Sequence, residues 1–72
     1  MEITYDKEAD ALYVEFIKTD FGKNKKVDEH TILDLDKKGN VIGIELLDAS
    51  KRMPKDAWNS IHARNILVLQ KE

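Results

Sequence analysis

The sequence predicts an α+β domain: a small antiparallel β-sheet of two hairpins, followed by a C-terminal helix and a candidate short final strand. Two stretches place apolar residues at alternate positions on either side of a polar turn, which is typical of a β-hairpin. After Pro54, apolar residues recur at helical spacing. The 72 residues have room for one domain, with hairpins over 2–48, a helix over about 54–63 and a tail over 64–72.

The first hairpin is predicted near the N-terminus. Its two strands flank a polar interruption at residues 6–10. The polar segment 18–26 that follows is predicted to be a loop, and residues 27–30 are expected to begin a further strand. The alternation is carried by apolar residues at every second position: Ile3, Tyr5, Leu12, Val14 and Phe16.

The second hairpin covers residues 31–48. Gly39 in its turn is expected to take a left-handed backbone, which glycine adopts without steric cost. Gly43 in the return strand indicates the close approach of another backbone or of a large side chain such as Trp58. The other face of this hairpin is half apolar, so we expect a helix or a second subunit to cover it. The predicted core is the set of apolar residues on one face: Leu33, Leu35, Ile42, Ile44 and Leu46.

The pattern changes after residue 50. Pro54 suits the first turn of a helix, where its missing N–H costs nothing. Ala57, Trp58 and Ile61 then fall at helical spacing. The apolar run at 66–69 is interpreted either as a final buried strand or as the end of a longer helix with an exposed apolar patch.

Composition limits the classes of function. Twelve basic and 14 acidic side chains give a net charge of −2, whereas binding to nucleic acid relies on clustered positive charge. The one basic cluster, Lys23, Lys25 and Lys26, is predicted to be a solvated loop. The N-terminus does not resemble a signal peptide, no segment has the length of a membrane span, and there is no cysteine. We therefore expect a cytoplasmic protein without a membrane partner. Nucleic-acid binding through these three lysines is a less favoured alternative, and it requires an affinity that falls steeply with salt.

Part of the second hairpin also matches a calcium-binding loop of the helix–loop–helix type. Two observations oppose that interpretation. Lys38 places a positive charge where the loop needs an oxygen ligand, and the flanking residues alternate with the period of strands. Asp34 and Glu45 would then lie on paired strands and could not surround one ion, so the hairpin is favoured. The residues at the loop positions are Asp34, Asp36, Lys38, Gly39, Asn40 and Glu45.

A second acidic cluster lies in the predicted first turn, at Asp6, Glu8 and Asp10. Carboxylates in a metal or acid–base site must converge on one point, whereas in a turn they accept hydrogen bonds from free backbone N–H groups. The turn interpretation is favoured. A metal-binding protein or small enzyme that uses these three residues with Asp34 and Glu45 is the alternative, and it requires that they meet in space.

No catalytic residue, metal ligand or cofactor site is assigned. His30, His62, Ser50 and Ser60 have no partner at the spacing of a metal site or a hydrolase motif, and we interpret them as surface or cap residues. A chain this short is marginal as a monomer, so a homo-oligomer, most simply a dimer, is expected. The leading hypothesis is a non-enzymatic, self-associating interaction module. Its candidate interface residues are Trp58, Ile61, Ile66 and Val68.

Two motifs in order resemble a known family. The first is Asp6 followed by Glu8 to Tyr13, and the second runs from Ile32 to Ser50 through the glycine turn and a Gly-Ile-Glu string. Over residues 1–52 the chain resembles the small prokaryotic family catalogued as domain of unknown function 2283. The resemblance implies a small β-sheet domain without an established activity. Genes of this family often lie beside small toxin-like open reading frames, so it also implies an antitoxin-like role as the partner of a small toxin.

Overall fold

The structure is a computed structural model that describes the backbone of residues 1–63 and the side chains of residues 1–60. The described residues form five strands and two short helices. In chain order these are β1 (Glu2–Asp6), β2 (Ala11–Glu15), β3 (Lys23–Asp28), β4 (Thr31–Leu35), β5 (Val41–Leu46), α1 (Ala49–Arg52) and α2 (Lys55–Ala63).

All five strands belong to one antiparallel sheet with the order β1-β2-β5-β4-β3. The β1–β2 hairpin and the β3–β4–β5 meander are joined because β2 lies beside β5. The predicted antiparallel sheet with a small helical part is therefore confirmed, and the antiparallel pairing of β4 with β5 confirms the second hairpin.

The prediction of exactly two hairpins is wrong, because β3 adds a third. The segment containing Lys23, Lys25 and Lys26 was predicted to be a loop, but it pairs with β4 as an edge strand. All six residues of β3 are exposed, so no apolar alternation reveals the strand. Lysine on an exposed edge discourages pairing with other chains, which accounts for its polar composition.

The strand register separates an apolar face from a polar face. One row of the apolar face contains Ile3, Val14, Ile44 and Leu33, on neighbouring strands in that order. The polar face carries the row Glu2, Glu15, Gly43, Asp34 and Asn24.

Burial on the apolar face is incomplete. Of the predicted core, Leu35 and Ile42 are buried, whereas Leu33, Ile44 and Leu46 are only half-buried. The other buried apolar residues are Leu12 and Ala49.

Asp36 and Gly39 close the turn between β4 and β5. Gly39 has a φ of 91°, and its N–H donates to the Asp36 carbonyl at 3.1 Å. The Asp36 carboxylate accepts hydrogen bonds from the backbone N–H groups of Lys38 at 2.9 Å and Asn40 at 2.8 Å. Side-chain and backbone hydrogen bonds from Asn40 hold the pKa of Asp36 below its ordinary value. The carboxylate thus serves the turn.

The helices lie at the opposite end of the sheet from this turn. α1 was not predicted; it is four residues long, and its anchor is the buried Ala49, whose N–H donates to the Asp10 carbonyl at 2.9 Å. α2 begins directly after Pro54, and its Trp58 ring meets the Tyr5 ring edge-on at 4.9 Å. Neither helix is long and apolar enough to cross a membrane. The predicted final strand at 66–69 lies outside the described residues.

Candidate functional site

A hydrogen-bonded network occupies the polar face. The Tyr13 hydroxyl on β2 donates to Asp34 Oδ2 on β4 at 2.9 Å, and Asn24 Nδ2 on β3 donates to Asp34 Oδ1 at 2.6 Å. Because β5 separates β2 from β4, the Tyr13 side chain must cross β5, which it does over Gly43. A Cβ at Gly43 would lie 2.8 Å from Tyr13 Cζ. The close approach predicted at Gly43 exists, but the residue responsible is Tyr13 and not Trp58.

The Tyr13 hydroxyl is a hydrogen-bond donor that lies among negatively charged side chains. Burial is the main cause that raises the pKa of Tyr13 to about 12, and the hydrogen bond to Asp34 adds to it. The charges of Glu15 and Glu45 act in the same direction. At neutral pH the phenol therefore keeps its proton, and the network holds the Tyr13, Asn24 and Asp34 side chains in place.

Asp10 is the centre of a second hydrogen-bonded network. This network lies at the end of the sheet next to α1, and we call that end of the sheet the helix end. Its backbone is left-handed, with a φ of 51°. Oδ1 accepts hydrogen bonds from the Tyr5 hydroxyl at 2.7 Å and the Ser50 N–H at 3.1 Å, and Oδ2 accepts one from Ser50 Oγ at 2.8 Å. Asp10 thereby joins the β1–β2 turn to α1.

The protonation states of this network are fixed by the same contacts. Burial alone would raise the pKa of Asp10, but the hydrogen bonds from Tyr5 and Ser50 outweigh it, so the pKa lies below its ordinary value. For Tyr5, burial and then the hydrogen bond to Asp10 raise the pKa to about 12. An ionised carboxylate and a neutral phenol are thus stabilised together.

A guanidinium completes the helix end. Arg52 on α1 donates from Nη2 to Thr31 Oγ1 at 2.7 Å and from Nη1 to the carbonyl oxygens of His30 and Leu47. His30 Nε2 also lies 3.2 Å from Asp48 Oδ2. These contacts tie the β3–β4 turn to α1. Sequence reasoning missed the pairing of His30, because its partners are distant in the chain and leave no local signal.

The five acidic candidates are not brought together. Asp6 accepts hydrogen bonds within its own turn, from the N–H groups of Glu8 at 3.1 Å and Ala9 at 3.3 Å. Glu8 is exposed. Asp10 is committed to the helix end, and Asp34 and Glu45 lie on the polar face of the sheet. Throughout the described part of the chain, no three Asp, Glu, His or Cys side chains are arranged to hold a metal ion.

The predicted interface residues are only partly described. Trp58 is half-buried against Tyr5. Ile61 lies in α2, but its side chain is outside the described residues, as are Ile66 and Val68 entirely.

A different set of exposed apolar residues stands out instead. We call the end of the sheet opposite the helix end the apolar end, because five large exposed apolar side chains lie there: Met1, Phe16, Ile17, Phe21 and Val41. The signal available in the sequence was the presence of apolar residues in the segment between β2 and β3. It was missed because Phe16 was placed in the alternating pattern of a strand and residues 18–26 were predicted to be a polar loop.

Fold and side-chain geometry together define a small α+β domain in which two hydrogen-bonded networks, around Asp34 and around Asp10, connect neighbouring elements. A family model described as "Protein of unknown function (DUF2283)" matches residues 2–50. The chain therefore belongs to the DUF2283 family, which confirms the resemblance seen in its motifs. No curated protein and no solved structure matches it.

Proposed function

We propose that this chain is a non-enzymatic protein-interaction module that self-associates as a dimer. The observation that supports the proposal is incomplete burial. Only four apolar residues are buried among those described, while six large apolar side chains are exposed. Apolar surface of this kind is hidden most readily by association, and a domain of this size gains stability that its own core cannot supply.

The shifted pKa values support a non-enzymatic role. General acids and bases work best with a pKa near the operating pH. Here the pKa values of Tyr5 and Tyr13 are raised to about 12 and those of Asp10, Asp28 and Asp36 are lowered. Each shift moves a group away from neutrality, which suits fixed hydrogen bonds and not proton transfer.

A more specific form of the proposal is an antitoxin-like role, in which a second surface binds a small toxin. The polar face of the sheet carries four carboxylates, on Glu2, Glu15, Asp34 and Glu45. Such a surface favours a positively charged protein partner, because complementary potentials accelerate association and suppress wrong partners. We place this action in the cytoplasm, which the cysteine-free composition supports.

Light scattering after size-exclusion chromatography tests self-association. A dimer has about twice the chain mass of 8.3 kDa, and its melting temperature rises with protein concentration. A chain that keeps the monomer mass at the highest attainable concentration would contradict the proposal.

Co-expression with the protein encoded by a neighbouring gene tests the antitoxin-like role. A stable complex that weakens with added salt is expected, and Glu45→Lys should weaken it further. Glu8→Lys, with the same charge change in an exposed turn, is the matched control. Failure of the two proteins to co-purify in low salt would refute this role while leaving the dimer intact.

A further inference from the structure

We infer that the apolar end of the sheet is the surface on which a second copy of this chain binds. The inference rests on the proposed self-association and gives it a location. Five of the six large apolar side chains exposed in the described residues lie at this end, with exposed fractions from 39% for Phe16 to 86% for Met1. The sixth, Val27, stands apart on the β3 edge strand.

Strand pairing brings these side chains together. Glu2 pairs with Glu15, so β1 begins where β2 ends. The Phe16 N–H donates to the Ile42 carbonyl at 2.9 Å, which puts Phe16 beside the start of β5. Because β5 and β4 lie between β2 and β3 in the sheet, the loop of residues 16–22 must pass across their ends. Ile17 and Phe21 are therefore carried over the end of the sheet.

The far side of this loop is fastened to the β4–β5 turn. The Gly22 N–H donates to the Leu35 carbonyl at 2.7 Å. A Cβ on Gly22 would lie 2.5 Å from the carbonyl carbon of Asp36 and 2.8 Å from the Lys37 nitrogen, so only glycine permits this approach. The loop is held at a defined position, and the exposed side chains are presented from a fixed base.

The apolar end has recesses as well as projections. Two open clefts, of about 430 Å³ and about 330 Å³, lie between the loop and the turn. A two-fold interface is self-complementary, since each copy must supply what the other receives. Apart from Gly22 and Gly39 the lining of both clefts is charged or polar, so the clefts suit lysine and carboxylate side chains of a second copy, while Ile17 and Phe21 project beside them. The clefts share Asp36, Lys37 and Lys38; the first adds Gly22, Lys23 and Gly39, and the second adds Thr19, Asp20 and Asn40.

The side-chain charges at this end favour a second copy of the chain over nucleic acid or an anionic membrane. Four lysines are balanced by four carboxylates, and within residues 1–60 none of these lysines forms an ion pair. Nucleic acid and anionic membranes attract surfaces with a positive excess, which this end does not have. A second copy can place lysine against carboxylate on both sides of a two-fold axis. The groups are Lys18, Lys23, Lys37 and Lys38 with Glu2, Glu15, Asp20 and Asp36.

Three variants test the location: Ile17→Lys and Phe21→Lys at the apolar end, and Val27→Lys as the matched control. Ile17 and Val27 are equally exposed, at 58% each, and the substitutions change the charge by the same amount. Sedimentation equilibrium of the full chain should show that Ile17→Lys and Phe21→Lys raise the dimer dissociation constant about tenfold or more. Val27→Lys should leave it within about twofold. Circular dichroism checks that each variant keeps the fold.

The outcomes that would contradict self-association differ from those that would contradict the location of the interface. A monomeric wild type refutes self-association, and this inference falls with it. A dimer that resists both Ile17→Lys and Phe21→Lys, or that is weakened equally by Val27→Lys, refutes the location alone. A wild type that stays monomeric, pellets with vesicles containing phosphatidylserine and loses that binding on Ile17→Lys would assign the surface to a membrane and overturn the inference.

Discussion

The two ends of the sheet differ in the side chains that they present. At the helix end, Asp10 and Arg52 connect turns and α1 through hydrogen bonds contained within one chain. At the apolar end, the loop and the β4–β5 turn leave Ile17, Phe21 and Val41 exposed. The comparison teaches that polar contacts stabilise one end of the sheet, whereas apolar side chains are left exposed at the other end, where we propose that a second copy binds.

Asp10→Ala should have the largest effect on stability. The substitution removes the acceptor for the Tyr5 hydroxyl and for two Ser50 donors, and it places a left-handed backbone on a residue that disfavours it. We expect the free energy of unfolding to fall by about 2 kcal/mol, measured by urea denaturation at a concentration where the chain is one species. Asp10→Asn, which keeps an acceptor and tolerates the backbone, should lose less than half as much. A loss on Asp10→Ala below about 0.5 kcal/mol, as for an ordinary surface substitution, would show that Asp10 is not the connecting element.

Gly43→Ala tests the region between the two ends. The added methyl group would displace the Tyr13 ring and break its hydrogen bond to Asp34. A loss of about 1 kcal/mol in the free energy of unfolding is expected. In the background of Tyr13→Ala the same change should cost far less, because the clash is gone. Additive losses in that double-mutant cycle would contradict the proposed contact.

High pH should weaken the helix end and the polar face through their tyrosines. The pKa values of Tyr5 and Tyr13 are raised from 10.0 to about 12 in the folded chain, so folding favours the neutral phenols. This contribution is fully present below pH 10 and is lost as the pH rises through about 12. Melting temperatures measured across that range should fall less steeply in Tyr5→Phe and in Tyr13→Phe. Identical slopes in wild type and both variants would refute the raised pKa values.

Ile17→Lys should leave the stability of the monomer nearly unchanged. The residue is exposed and belongs to no described hydrogen-bonding network, and surface substitutions of this kind usually change stability by less than about 0.5 kcal/mol. Urea denaturation below the dimer dissociation constant provides the measurement. A large loss would mean that the apolar end contributes to internal stability, and the contrast between the two ends would fail.

Divalent cations should have no effect on the melting temperature. Calcium, magnesium or manganese at a hundred times the dissociation constant of a real site would stabilise the fold by ~2.7 kcal/mol. Because the described carboxylates are dispersed between the helix end, the turns and the polar face, we expect no shift. A clear shift with any of the three ions would revive the metal-binding alternative.

Local patterns predicted the regular parts of the fold. Alternating apolar residues located β1, β2, β4 and β5, and turn chemistry located the reversal at Gly39. β3 was not predicted because a fully exposed edge strand has no buried face, and so its sequence shows no alternation of apolar and polar residues. α1 escaped because four residues are too few to show helical spacing.

The connections between elements could not be read from the sequence in the same way. Asp10 and Ser50 are 40 residues apart in the chain. They touch because β2, which follows Asp10, pairs with β5, which precedes Ser50. Likewise, Phe16, Ile17 and Phe21 are visible in the sequence, but only the strand order shows that they share an end with Val41. Gly43 gave a usable local hint of a close contact, although the partner was misjudged.

The position of the loop between β2 and β3 depends on a single residue, Gly22. We expect an added Cβ at that position to displace the loop from the β4–β5 turn beneath it. Both clefts would then change shape and the projecting side chains would move, while the strand pairing is kept. We therefore expect Gly22→Ala to weaken the proposed dimer without harming the folding of the individual chain.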